Sequence, residues 1–561
     1  MANRKSSIVN SIPASPQSAR RRTDAVLLAG FCAFLFLYGI AQFGLIGADE
    51  PRYAQVAREM LERHSLVTPT LGGRPWLEKP PLYYWQAIGF YSIFGVHDWT
   101  ARLPSVLDAT LLVLAVYFFL RRFRRGFEID GALIAASCAG IIAYARAAST
   151  DMPLTAAFTI GMLGWWAWRE SAERIYLAVF YGCLALGALA KGPVAPFLAV
   201  LIIALYALMA RQRQLIVRSL WVPGILFFCV LALPWYVTVQ VRNPSFFRQF
   251  ILQQNLDRFS TNLYHHSEPF WYYLPVVALA LLPWTVFVVA AFVESVRLWW
   301  EERKSSEQNS FDLDPDSGFG LGFFGVCWLI VPLLFFSVSQ SKLPGYILPA
   351  VPAGAILLLE YLRRHIVSES EPASKWLIAS HALAAAAAVV PALLIAYVIR
   401  EHRLPGGRPM YIALAIAFAL CAGIAVTLSS RSGLRMLRFV TLIPAVLTVA
   451  AVVKFGSNAL NEDLSARPLA HEIDALQAHS LPLAVYHVPR ELEYGLTFYR
   501  DQLTLNYAWG PPPRKEHLLV APENSQANLT ELLPGRRVSF LGHYEPQHVD
   551  YFWIAAAPPK H

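Results

Sequence analysis

Between Lys191 and Arg211 the sequence reads KGPVAPFLAVLIIALYALMAR, and no residue between the two terminal cations carries a charge. A helix rising about 1.5 Å per residue over such a run crosses the roughly 30 Å of hydrocarbon in a bilayer. The basic residues at its ends would sit in water. Read this way, the stretch names the solvent for the rest of the chain, and the question becomes how often it recurs.

It recurs along most of the length. Together with this run at 193–210, apolar segments near 25–46, 101–120, 130–148, 153–168, 174–190, 219–240, 271–298, 321–339, 345–362, 377–399, 410–428 and 437–455 make about thirteen spans. Composition agrees: of 561 residues 56% are hydrophobic and only 15% charged, against roughly 25% charged in soluble domains. A water-soluble globular chain is excluded. The expected fold is a polytopic α-helical membrane protein followed by a small soluble domain.

The formal net charge of +9 does not indicate nucleic acid, because the basic residues punctuate apolar segments instead of gathering on one solvated face. Arg20–Arg22, Arg121 with Arg122, Arg124 with Arg125, Arg211 with Arg213, Arg363 with Arg364, and Arg435 with Arg438 mark segment ends as cytoplasmic anchors do. Residues 1–24 are then a cytoplasmic basic leader and 25–455 the membrane domain. The first span is too long for a signal-peptide core and is expected to remain as an anchor. The six cysteines, Cys32, Cys138, Cys183, Cys229, Cys327 and Cys421, all lie in apolar stretches and form neither a disulfide framework nor a CxxC pair.

With that parity, the loop 47–99, the Thr150-Asp151 turn, the Lys191-Gly192 turn, the 241–270 loop and the Ser339–Tyr346 turn share the far side of the membrane. Residues 456–561 join them as a small α/β domain, with strands expected near Leu483–Val488, Leu518–Ala521, Val538–Leu541 and Tyr551–Ala555. Nothing in that domain reads as catalytic. Asp49–Glu62 has helical apolar spacing suited to an interfacial helix, and Pro80-Pro81 precedes the boundary aromatics Leu82–Trp85.

Chemistry is expected where polar residues interrupt these membrane edges. Asp49-Glu50 follows the first span, and Asp151 interrupts the apolar run in Ser149-Thr150-Asp151-Met152-Pro153. Each has a plain alternative as a helix-capping residue. Two acids on one face also suit a site in which one carboxylate handles an acceptor proton and the other orients polar partners. Lys79, Lys191 and Lys342 lie at the same boundary, and with Arg52 and Arg258 they are a set able to neutralise a phosphate or pyrophosphate. Snorkelling is the alternative for each lysine. His265, His266 and Glu268, with Glu78, are a weak divalent-cation candidate, since the spacing is not that of a metal site.

These motifs carry a resemblance. Asp-Glu-Pro-Arg-Tyr at 49–53, Glu-Lys-Pro-Pro-Leu-Tyr-Tyr-Trp at 78–85, Thr-Asp-Met-Pro at 150–153 and Ser-Lys-Leu-Pro-Gly-Tyr-Ile-Leu-Pro at 341–349 resemble the aminoarabinose transferase branch of the membrane glycosyltransferases. That branch is related to the protein O-mannosyltransferases. The resemblance covers at least 25–365 and implies a GT-C-like fold and transfer from an undecaprenyl-phosphate-linked 4-amino-4-deoxy-L-arabinose or related sugar. The implied acceptor is lipid A or another cell-envelope molecule, on the periplasmic face of a bacterial inner membrane. It further implies that Asp49 is the required acid with Glu50 beside it, that Asp151 is the second acid, and that Arg52, Tyr53, Lys79, Tyr83, Tyr84, Lys342 and Tyr346 line the donor and phosphate site. No cofactor beyond the lipid-linked donor is implied with certainty, and a divalent cation stays open. Competing readings are a protein O-mannosyltransferase-type activity, a flippase for a lipid-linked sugar, and a structural subunit of an envelope synthase. A nucleotide-sugar donor is not expected, for no Gly-rich phosphate loop is present.

Overall fold

The computed structural model describes residues 15–257, 268–308, 319–367, 374–430, 433–476 and 481–557. Its first half runs through helices α1 (Ser15–Cys32), α2 (Asp49–Glu62), α3 (Leu82–Phe94), α4 (Asp98–Phe123), α5 (Glu128–Ser137), α6 (Ala139–Ala145), α7 (Asp151–Ser171), α8 (Arg174–Lys191), α9 (Val194–Met209), α10 (Gln214–Ser219) and α11 (Val222–Arg242). Long helices follow at Thr285–Gln308, Phe319–Val338, Val351–Val367, Arg408–Leu428 and Gly433–Ala451. Among the described residues eight helices are long and apolar enough to cross a bilayer, or ten if each of two sharply bent pairs is one span. The chain is a polytopic helical membrane protein.

Lipid contact is legible in the exposure pattern. On α11, Val222, Leu226, Val230, Leu233, Val237 and Val241 recur every three or four residues and are all exposed. Such a stripe has no stable existence in water. The opposite faces pack into one apolar core whose largest buried members include Trp165, Trp166, Trp284 and Trp328. At the bundle end where α4 and α7 finish, Arg124 bonds both Glu170, at 2.6 Å, and the buried Glu360, at 2.9 Å, tying α4, α7 and the helix Val351–Val367 together.

Several expected segments are shorter or broken. The segment 25–46 is helical only to about Leu37, leaving 38–48 as a non-helical strap. The segment 130–148 breaks at Cys138 with a bend of 65°, and 271–298 breaks between Ala280 and Thr285 with a bend of 113°. The two breaks meet, since the Ala139 amide donates to Leu282 O at 2.8 Å, so backbone freed by one is satisfied by the other. The segment 377–399 is three short helices, Lys375–Ala387, Val389–Leu393 and Ile395–Glu401. The 47–99 loop contains α2 as expected. It also holds a two-strand hairpin, β1 (Thr70–Leu71) with β2 (Arg74–Pro75), and the unexpected apolar helix α3.

Residues 483–554 form a five-stranded sheet of β3 (Leu483–Val485), β4 (Leu505–Asn506), β5 (His517–Pro522), β6 (Val538–Tyr544) and β7 (Val549–Ile554), in the order β4-β3-β5-β7-β6. The β4-β3-β5 half is parallel and β5-β7-β6 antiparallel. Four of these strands lie where the apolar runs placed them. The helix Arg490–Arg500 packs along α2, with Phe498 sharing a core with Tyr53, Val56, Ala57 and Met60.

Candidate active site

The strap 38–48 is fixed from both sides before it delivers Asp49. Arg102, fully buried on α4, donates to Ile40 O and Phe43 O at 2.9 Å and to Gly44 O at 2.7 Å. From the C-terminal half, Asn461 accepts from the Gly44 amide at 3.0 Å and Tyr499 Oη from the Leu45 amide at 2.7 Å. Arg467 reaches back to Ala41 O and Gln42 O and pairs with Asp98. α2 then begins at Asp49 with its acids in the first turn, where the helix dipole favours negative charge.

The adjacent carboxylates have opposite fates. Asp49 is half exposed, with its side chain 56% accessible, and pairs with Arg52 one turn on. Glu50 is buried, accepting from Arg102 at 2.7 Å, from the Ile46 amide at 2.9 Å and from the Ala148 amide at 2.9 Å. Both its oxygens accept hydrogen bonds within the protein, so Glu50 ties the strap, α4 and the approach to Asp151 into one unit. Neither acid is an N-cap, that position being Ala48, which makes no side-chain cap bond.

Asp151 opens α7 behind Thr150, which likewise caps with no side-chain bond. Its carboxylate pairs with Lys191 and accepts from Ser149 Oγ at 3.0 Å. Lys191 arrives there because α8 ends at Gly192, whose φ of +92° favours glycine, and a Cβ there would run into the Phe250 ring. The lysine also sits over the Tyr346 ring at 4.7 Å. Gly345 is required by close approach, since a Cβ would meet Tyr144 Oη at 2.7 Å and the Asp151 carboxylate at 2.9 Å. Tyr53 packs beside Tyr84 and next to Arg52, the partner of Asp49, while Tyr144 and Gly345 stand against the Asp151 carboxylate.

A cavity of about 390 Å³ lies beside Lys191, the partner of Asp151, between the ends of membrane helices, bounded by Lys79, Lys191, Phe197, Asn255, Ser341 and Tyr346 with mostly apolar walls. A second, more apolar cavity of about 770 Å³ lies on the other side of Tyr144 and Glu50, walled by the helix breaks at Ser137–Ala139, Leu282–Pro283 and Ala388 and edged by Arg146.

The expected residues divide. Asp49, Arg52, Tyr53 and Tyr84 form one contact group, and Asp151 and Tyr346 meet through Lys191 on the cavity that Lys79 also lines. Tyr83 does not present its hydroxyl, which donates to Ala101 O at 2.8 Å inside the protein, and the Lys342 ammonium is turned onto Ser339 O at 2.6 Å. Arg258, His265 and His266 lie outside the described residues. Among the described residues no group of three or more His, Cys, Asp or Glu is arranged to hold a metal. Sequence reading passed over Arg102 and Tyr144. It named Lys191 only as one boundary cation among several, although a lysine just before a Gly-Pro turn was the available signal.

The family model for dolichyl-phosphate-mannose-protein mannosyltransferases matches residues 25–250. An undecaprenyl phosphate-α-4-amino-4-deoxy-L-arabinose arabinosyl transferase of Erwinia tasmaniensis is 30% identical over 384 residues, which are 67% of this chain and 65% of that protein. The protein of that name from Pseudomonas aeruginosa is 32% identical over 348 residues, 61% of this chain and 59% of the relative. The chain thus spans just under two thirds of the length of the curated relatives it matches. The crystal structure of ArnT from Cupriavidus metallidurans bound to undecaprenyl phosphate superposes with a TM-score of 0.74 at 21% identity, covering 96% of this chain and 99% of that one. The resemblance carried by the sequence motifs is borne out, and the fold is that of this solved structure.

Proposed function

Proceeding from its likeness to the aminoarabinose transferases, we propose that this protein transfers 4-amino-4-deoxy-L-arabinose, or a related sugar, from undecaprenyl phosphate to lipid A or another envelope acceptor. The proposed setting is a bacterial inner membrane crossed by about thirteen spans, with the site and residues 456–561 on the periplasmic side. The observation that carries the reading is the pairing of Asp151 with Lys191, which together with Lys79 lines an apolar cavity between membrane helices.

The chemistry follows from charge. Cleaving a sugar-phosphate bond through an oxocarbenium-like state requires the departing phosphate to be neutralised and the developing positive sugar to face anions. In this reading Lys79, Lys191 and Arg52 take the first task and the two aspartates the second. The carrier's chain takes the cavity behind Lys191, while the larger apolar cavity beyond Tyr144 suits an acyl chain of a lipid acceptor. An acceptor phosphate is already ionised near neutral pH, so Asp49 orients it and need not remove a proton. Glu50, through Arg102 and the Ala148 amide, holds both acid-bearing segments in register.

The test is incubation of the purified chain with undecaprenyl-phosphate aminoarabinose and lipid A, with products weighed by mass spectrometry. A new glycosyl product that disappears in Asp49→Asn is expected. Movement of the donor across the bilayer with no new bond would instead establish the flippase reading.

A further inference from the structure

The C-terminal unit reaches the site through one side chain. The helix Arg490–Arg500 lies on α2, anchored where Arg58 donates to Phe498 O at 2.8 Å and pairs with Asp501 at 2.8 Å. One turn before Phe498, Tyr494 lies with its ring centroid 5.7 Å from the Arg52 guanidinium carbon. Tyr53 and Trp76 meet the same guanidinium, each at 5.2 Å. Arg52 therefore sits among three aromatic rings supplied by α2, the segment after β2 and the C-terminal helix, with one nitrogen on Asp49.

Two donors in that box are unspent. Arg52 Nε and Trp76 Nε1 are buried and have no hydrogen-bond partner among the described residues. A buried N–H without an acceptor costs about 1–3 kcal/mol, so two of them in one aromatic box next to the half-exposed Asp49 point to an acceptor oxygen that arrives with a ligand. Asp49 and Glu78 both pull on the Arg52 cation. The Tyr494 ring face adds an attraction of its own on the guanidinium.

We infer that Tyr494 is a positioning residue of the C-terminal unit that holds Arg52 so that its Nε–H, with that of Trp76, meets a phosphate oxygen of the polyprenyl carrier. This rests on the reading that the cleft takes a polyprenyl phosphate. Tyr494 touches Arg52 and not the reacting atoms.

The experiment uses the full chain in lipid nanodiscs and reads undecaprenyl-phosphate affinity beside turnover. Tyr494→Ala should weaken carrier binding about fivefold, the equivalent of one cation–π contact of about 1 kcal/mol. Tyr494→Phe keeps the ring face and should stay within about twofold of wild type. In an Arg52→Lys background, Tyr494→Ala should have no further effect. Asp501→Asn loosens the same helix without touching Arg52 and should bind as wild type does. Unchanged affinity in Tyr494→Ala, equal loss in the Phe variant, an undiminished effect in the Arg52→Lys background, or a matching loss in Asp501→Asn would each overturn the inference. A wild-type chain that binds the carrier but forms no glycosidic bond defeats the transfer reading while leaving this comparison intact; one that does not bind the carrier defeats both.

Discussion

Replacing Glu50 by Gln removes one charge from a pair in which Arg102 is fully buried and the Glu50 side chain is 11% accessible. Removing one partner of a buried ion pair costs about 3–5 kcal/mol, because the surviving cation is left uncompensated where water cannot reach it. Part of that loss is recoverable here. Gln keeps one carbonyl oxygen for either the Ile46 or the Ala148 amide, and Arg102 retains three backbone carbonyls, so the lower end of the range is expected. The neighbouring Asp49→Asn gives the internal contrast: Arg52 is largely buried, but the Asp49 side chain is 56% accessible and its solvation offsets the pair, so the loss should stay under about 1 kcal/mol. Thermal unfolding of the two variants in one detergent, followed by tryptophan emission and by pull-down of folded protein, should show a clear loss of stability for Glu50→Gln and almost none for Asp49→Asn. Turnover should invert the order, with Asp49→Asn inactive and Glu50→Gln partly active at low temperature. If Glu50→Gln melts with the wild type, Arg102 is not anchored as described and the strap argument fails.

Other consequences of the geometry can be checked individually. Gly345→Ala should reduce turnover at least tenfold while leaving the fold intact, because its Cβ would push Tyr144 and the Asp151 carboxylate apart; full activity would show that these groups need not stay together. Lys191→Met should reduce activity sharply and shift the pH profile, since Asp151 loses its cation; an unchanged profile would remove Lys191 from the site. In the C-terminal sheet, His543 hydrogen-bonds Asp550 at 2.7 Å and Glu545 at 2.9 Å, and the first of these chiefly raises its pKa above the ordinary imidazole value. Its stabilisation is fully present below about pH 6.5 and is lost as pH rises through the raised folded-state value. Amide-exchange protection of the β6–β7 hairpin should therefore fall as pH rises above about 6.5 in wild type and stay level in His543→Gln.

Which parts of this were legible in the sequence follows from the range of the forces involved. Apolar runs are local, and every segment read from them contains helix. Breaks were less visible. The 113° turn had a signal in Pro283 and in a segment too long for one crossing, whereas Cys138 breaks its helix with no Pro or Gly at the break, since the amide beyond it bonds to Leu282 O. The site divides the same way. Asp49, Asp151 and Lys79 stood out as charges at membrane edges, but nothing in Asp-Glu tells which carboxylate will be buried. That depends on Arg102, an arginine inside a helix 52 positions on. Tyr494 was invisible for the same reason, as a tyrosine on an amphipathic helix declares no partner.

The strap that presents Asp49 is held by Asn461 and Tyr499, which lie 417 and 454 positions beyond the residues they bind. A ribosome has made nearly the whole chain before those anchors exist. The membrane bundle of a nascent or prematurely terminated chain can therefore insert with its acidic rim still unformed. The presentation of Asp49 is therefore complete only once residues 461 and 499 have folded back onto the strap.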